Sequence, residues 1–396
     1  MKILHVCPAF YPAVYWGGPI FSVLGLNKAL AGIAGVHLRV LTTDSAGPKL
    51  TQRLSSESGR PVSYPPGYDV YFCRRLAGAS ISPGLLARLA GLLRWADVIH
   101  LTGTYSFPTI PTLVVTRIVG RPIVWSPRGA LQASYEWAGA QRRVAKRVWE
   151  KVCNGIVKGQ RCVLHVTSEG ERYASLQLIP AARAEIVPNG VDVPEDEPQR
   201  NWRPQDRLRL LFLGRVDRKK GLENLFDALS KFRPTELNLN ICGTGDTAYV
   251  ESLRARVEAS GLAPMVNFRG HVDGEEKTEA FAQADVCVVP SHNENFGMVV
   301  AEALAHGVPV IASTGTPWAA VVDQGCGYWV PNDPDSLVHA LRAIRQEDLE
   351  SMGKRGRAWM RREFTWATIA GRMHEIYAQE ISRGASRGET SACRRA

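Results

Sequence analysis

The sequence predicts an α/β protein built from two doubly wound, Rossmann-like parallel-sheet domains that face each other across a cleft. Three observations carry this expectation. Short apolar runs of strand length alternate with helical stretches along the whole chain. A segment rich in proline and charge, Pro188 to Pro204, interrupts that alternation midway. Residues 285–313, DVCVVPSHNENFGMVVAEALAHGVPVIAS, read as strand, loop, helix and strand, and two such strands lie parallel only when the helix crosses between them.

In the first half the apolar runs are Lys2–Cys7, His37–Thr42, Val98–Leu101, Ile123–Ser126 and His165–Thr167. In the second half they are Arg209–Leu213, Leu237–Cys242, Val266–Arg269, Val286–Val289 and Val308–Ile311. The opening MKILHVCPAFYP has one lysine and a short apolar run ended by Pro8, which reads as a first strand and not as a signal peptide. The expected division is residues 1–195, residues 205–363, and an amphipathic helix over 364–382. Residues 383–396 are polar and basic without periodicity, the pattern of a disordered tail.

Composition narrows the class. The chain has 396 residues, 45% hydrophobic and 22% charged, a globular balance large enough for two or three domains. No apolar run approaches the roughly 18 residues of a membrane helix. The eight cysteines are scattered without a CxxC pair, which fits reduced thiols in a cytoplasm better than a disulfide framework or zinc site. The net charge of +10 resides entirely in residues 1–200, because residues 201–396 balance. A basic half suggests an anionic partner: a membrane surface, a phosphorylated acceptor or nucleic acid.

Within 285–313, Val286, Val288 and Val289 suit a buried strand ended by Pro290, and a helical pattern runs from about Gly297 to a stop at Gly307. The amides of Phe296, Gly297 and Met298 would open that helix at the carboxyl end of the sheet, where helix dipole and free N–H groups attract an anion, commonly a phosphate. Glu294 precedes them in the loop and Glu302 follows inside the helix. Acceptor carboxylates beside a phosphate site suggest ligand hydroxyls, as on ribose or a hexose. Upstream, LLFLGRVDRKKG places Arg215 and Lys220 just past a strand end, where an Arg and a Lys suit a diphosphate. ICGTGDTA, Ile241 to Ala248, satisfies G-x-G-x-x-A through Gly243, Gly245 and Ala248, but no acidic residue ends the next strand to hold a ribose.

The pair Glu294 and Glu302, within ENFGMVVAEALAHGVPVIAS, resembles the E-x7-E signature of retaining GT-B glycosyltransferases of family 4. The resemblance covers about residues 1 to 380. It implies two Rossmann-like domains, a nucleotide-diphosphate sugar donor, no metal or other cofactor, and a C-terminal helix that packs back on the first domain. It also implies that Arg215 and Lys220 carry the leaving diphosphate, Glu302 the ribose and Glu294 the sugar hydroxyls. By the same likeness Gly243 marks the turn after the second strand of the donor domain, His271 and Val272 in FRGHV touch the nucleobase, and Gly18 in YWGGPI approaches the donor phosphate. Many members place a donor-contacting His after the strand that ends here in WSPRGAL; this chain has Ser126-Pro127-Arg128-Gly129 instead. Arg128 is therefore a candidate for that place or for an anionic acceptor. His100, in DVIHLTG, is a candidate acceptor-site residue, with a purely structural role as the alternative.

The segments GTPW and CGYWV, Gly315–Trp318 and Cys326–Val330, look similar to those of bacterial surface-polysaccharide glycosyltransferases, which implies a lipid-linked saccharide acceptor at the inner face of the cell membrane. Residues 141–161 form a basic amphipathic run in which Val144, Val148 and Val152 share one face and Arg143, Arg147 and Lys151 another. It suits an anionic bilayer or ordinary core packing. A DxD match, Asp333-Pro334-Asp335, stands before a helix, and Asp335 reads as its cap, not as a metal ligand. Two rivals remain on the sequence alone: a catalytically silent membrane-associated binding protein, and an NAD-dependent oxidoreductase built on the Gly243 turn. Nucleic-acid binding lacks an aromatic-rich RNA motif.

Overall fold

A computed structural model of the chain describes residues 1–55, 60–132, 140–196, 200–202 and 207–392. The chain divides into two compact units, Met1–Gly190 with Trp366–Ala396, and Val191–Thr365.

The first unit is built on an eight-stranded sheet. Its strands are β1 (Lys2–Val6), β2 (His37–Thr43), β3 (Val62–Tyr64), β4 (Tyr68–Cys73), β5 (Val98–Thr102), β6 (Ile123–Ser126), β7 (Cys162–Val166) and β8 (Arg183–Ile186). They stand in the order β3-β4-β2-β1-β5-β6-β7-β8. All pairings are parallel except that of β3 with β4. Helices α1 (Gly18–Ala31), α2 (Pro83–Trp95), α3 (Thr109–Val119), α4 (Ala140–Val157) and α5 (Glu169–Leu178) link these strands. In β1, Leu4 and Val6 enter one apolar cluster and Ile3 enters another, so both faces of the strand are covered. That is why the run is apolar without alternation. Strands β3, β4 and β8 do not show in the sequence as apolar runs. Two of them are sheet edges, and β4 alternates buried with half-buried residues.

The second unit has six strands, β9 (Leu208–Leu213), β10 (Leu237–Cys242), β11 (Val266–Gly270), β12 (Val286–Val289), β13 (Val310–Ser313) and β14 (Gly327–Val330). The order is β11-β10-β9-β12-β13-β14, parallel throughout. Helices α6 (Leu222–Leu229), α7 (Thr247–Ala259), α8 (Gly274–Ala282), α9 (Met298–Ala305), α10 (Ala320–Asp323), α11 (Pro334–Ile344) and α12 (Leu349–Glu363) belong to it. The cap of α11 is Asp333, whose carboxylate accepts from the Ser336 amide at 2.8 Å, and not Asp335, which lies in the first turn. Pro334 explains the difference: proline suits the first helical position, so the cap precedes it.

The last helix, α13 (Trp366–Ala392), returns to the first unit. Ile369, Ala370, Met373 and Tyr377 join the apolar cluster of β1, and the Trp366 ring fills the space that side chains at Gly25 and Gly190 would need. The helix continues past Ile381 to Ala392, where composition predicts a polar tail from residue 383. A helix nucleated by a packed segment extends through polar residues at little cost, and Arg383 supports it with a 2.8 Å ion pair to Glu380.

Candidate active site

The strand order of the second unit reverses between β9 and β12, the place where parallel α/β sheets hold ligands beyond their carboxyl ends. The two loops that leave this point carry the predicted cations and carboxylates. They are tied together by a hydrogen bond from the His292 amide to the Lys219 carbonyl at 2.7 Å.

After β9 the chain turns at Gly214, and Asp217 caps a short turn by accepting from the Lys219 amide at 3.1 Å. Gly221 closes that turn at φ 63°, packed where a side chain would strike Asn332 and the Pro290 carbonyl. The turn aims Lys220 at Glu294, and the two form an ion pair whose side chains are each 14% exposed. Ser291 donates to the same Glu294 oxygen at 2.8 Å, and the Glu294 amide donates to the Gly315 carbonyl at 2.8 Å. The carboxylate is thus fixed from both ends. Arg215 is exposed and has no ion pair or side-chain hydrogen bond among the described residues. Glu302, on α9, pairs with Lys277 of α8 at 2.7 Å.

Gly297 takes a left-handed conformation at φ 75° and hands the chain to α9. The amides of Phe296, Gly297 and Met298 donate to no backbone carbonyl among the described residues. The Phe296 ring itself is buried, 5.1 Å from the Trp318 ring, and Trp318 donates its indole N–H to the Phe296 carbonyl. This loop offers a ligand its backbone, while its aromatic side chain anchors it below. Among the described residues no cluster of three or more His, Cys, Asp or Glu is placed to hold a metal ion.

Residues 194–359 match the family described as Glycosyl transferases group 1, and residues 17–190 match the Glycosyl transferase 4-like domain. A phosphatidyl-myo-inositol mannosyltransferase of Mycobacterium leprae is 30% identical over 402 residues, covering 97% of this chain and 98% of the relative. The chain belongs to the glycosyl transferases group 1 family. In fold it is similar to a sucrose-phosphate synthase from Thermosynechococcus elongatus, with TM-score 0.73, 23% identity, and coverage of 97% of this chain and 100% of that one. Anabaena HepE, solved in complex with UDP and glucose, has TM-score 0.67, 19% identity, and coverage of 96% and 100%. The shared architecture is the GT-B fold of two Rossmann-like domains.

In this glycosyltransferase the predicted residues of the second unit gather at one sheet edge, with two refinements. Gly243, at φ 151°, leaves its open side to the Gly214 carbonyl, where a side chain would collide. Gly245 does the same for the Val216 carbonyl. The glycines thus let this turn pack against the loop that carries Arg215. His271 is exposed, 3.4 Å from Asp273, and Val272 is half-buried against an apolar cluster. Ser291, Lys277 and Asn332 complete the constellation and escape sequence reasoning, because an isolated polar residue in a loop or on a helix carries no spacing signal.

The first unit holds Gly18, Arg128 and His100. Gly18 is the exposed first residue of α1, and it is Gly17 before it, at φ 71°, whose backbone requires glycine. His100 is fully buried. One ring nitrogen meets the Tyr377 hydroxyl at 2.5 Å and the other the Ser126 hydroxyl at 2.7 Å. With both nitrogens engaged it is a core residue and lines no acceptor site. It stacks on His5 at 4.2 Å, across the β1–β5 register, and Ser126 also bonds His165 at 2.7 Å. Burial pushes His5 down to about 4 and His165 to about 3, and holds His100 well below the usual imidazole range.

Proposed function

We propose that this glycosyltransferase moves a hexose-type sugar from a nucleotide-diphosphate sugar to a saccharide acceptor, probed best as a lipid-linked one, with retention at the anomeric carbon and without a metal ion. The observation that carries the reading is the Lys220–Glu294 pair at the strand-order reversal, beside the unpaired Arg215 and the open amides before α9. A diphosphate seated on those amides takes Lys220 from Glu294. Arg215 and Lys220 then offset the charge that grows on the leaving group, and Glu294, still held by Ser291, turns an oxygen to the sugar hydroxyls. Glu302 accepts from the ribose, with Lys277 holding it in place. The acceptor hydroxyl attacks from the face the diphosphate leaves, and a donor-phosphate oxygen takes its proton. His271 and Val272 bound the nucleobase.

The inner face of the cell membrane is the proposed location, in bacterial surface-polysaccharide assembly. No helix among the described residues is long and apolar enough to cross a bilayer. On α4, however, Val144, Val148 and Val152 are 61%, 56% and 43% exposed, while Trp149, Cys153, Ile156 and Val157 fill the core side. Arg143, Arg147 and Lys151 are exposed beside the valines. An apolar stripe flanked by cations supports peripheral binding to anionic lipid.

The test is a screen of UDP- and GDP-hexoses for nucleotide release, run with and without EDTA. Release by the wild type that survives EDTA and disappears in Lys220→Ala is the expected result. Equal release from both proteins sinks the site assignment.

A further inference from the structure

The geometry points to a second anion site, in the first unit, where Arg128 presents the unpaired edge of its guanidinium to an oxyanion, a phosphate or carboxylate borne by the acceptor. That the acceptor bears it rests on the transferase reading; the site itself does not.

Arg128 follows β6 at the carboxyl edge of the sheet, two residues after Ser126. Its φ is 57°, and it is the only non-glycine residue with a positive φ among those described. A side chain pays strain to stand there, and such strain gathers at ligand sites. Nη1 donates to the Asn189 side-chain oxygen at 2.5 Å. Nε and Nη2 are closed off from water and have no partner. Those two N–H groups form one side of the planar fork, the side that meets both oxygens of a carboxylate or phosphate.

The neighbouring acid, Glu171, favours the charged guanidinium through space but makes no hydrogen bond to these two N–H groups. Glu171 spends its oxygens on the Gly129 amide at 2.5 Å and on the Thr167 amide and hydroxyl, both at 2.8 Å. The imidazoles of His5, His100 and His165 are neutral at physiological pH, whereas Arg128, lowered by burial to about 10, stays charged. A buried cation whose bidentate edge is unmet is costly unless a ligand completes it. Other atoms of the residue reach the surface, so Arg128 is not enclosed on every side.

The experiment is thermal unfolding of the full chain at constant ionic strength in chloride, phosphate or acetate. The background is Arg215→Ala/Lys220→Ala, which removes the donor-site cations. In this background millimolar phosphate is expected to raise the melting temperature by several degrees, and adding Arg128→Met should abolish the rise. Acetate in place of phosphate as the effective ion would identify the group as a carboxylate. Arg128→Gly, which suits the positive φ, serves where Arg128→Met fails to fold, and it too should lose the rise. The proposal is overturned by an equal rise with and without Arg128, or by no rise with either anion. Full nucleotide binding by the double variant would instead count against the donor reading and leave this site standing.

Discussion

Three buried, neutral histidines make the first unit sensitive to acid in a way that can be calculated. In the unfolded chain each imidazole titrates near 6.5, whereas in the fold His5 and His165 are lowered to about 4 and about 3 and His100 is lowered as well. Below pH 6.5 the unfolded chain binds protons that the folded chain refuses. Their stabilisation is therefore complete above pH 6.5 and is lost as the pH falls toward the folded values. Between pH 7.5 and 5.5 His5 and His165 each remove on the order of 1 kcal/mol of stability, and His100 adds to the loss in the same direction. The measurement is urea unfolding at the two pH values, read by hydrogen exchange at the amides of β1, β5 and β7 so that the first unit is followed alone. His165→Gln should be less stable at pH 7.5, because the bonds to Ser126 and the Val187 carbonyl change. Its loss between the two pH values should be smaller, by on the order of 1 kcal/mol. An identical loss in wild type and variant, or a wild type whose stability is flat over this range, would refute the reasoning.

Other outcomes follow from the second unit and from α4. Lys220→Ala should lower kcat by about 100- to 1000-fold, as for removal of one preorganised charge-stabilising donor, with the fold retained by circular dichroism. Glu302→Ala should raise KM for the nucleotide sugar more than it lowers kcat, because the ribose contact is made equally in ground and transition states. Gly243→Ala should cost about 2–3 kcal/mol of stability, since the new methyl meets the Gly214 carbonyl and backbone must move; a melting curve unchanged from wild type would contradict the packing described. Serine at Val144, Val148 and Val152 together should abolish sedimentation with anionic vesicles without loss of stability, since these side chains already face outward.

The sequence by itself determined the architecture and singled out the residues proposed for the donor side. Fully covered strands such as β1 and β12 are apolar on both faces, so they stand out as runs, and the loop before α9 carries its glycine and carboxylates at the spacing of a known family signature. Glu294, Glu302, Arg215 and Lys220 were legible for that reason. Edge strands β3 and β8 were not, because half their surface meets no core and imposes no pattern. Only the tertiary structure decided who partners whom. It gave Glu294 to Lys220 and Glu302 to Lys277, partners far apart in the chain that the parallel sheet brings together, and it turned the nearby Ser291 hydroxyl onto Glu294. It gave Gly243 a packing role, and of the two readings of α4, bilayer face or core packing, it put Val144, Val148 and Val152 at the surface. It buried His100 and left one edge of Arg128 unpaired. The reason is physical: burial and pairing are properties of neighbours in space, and a residue's own chemistry fixes only which neighbours it needs.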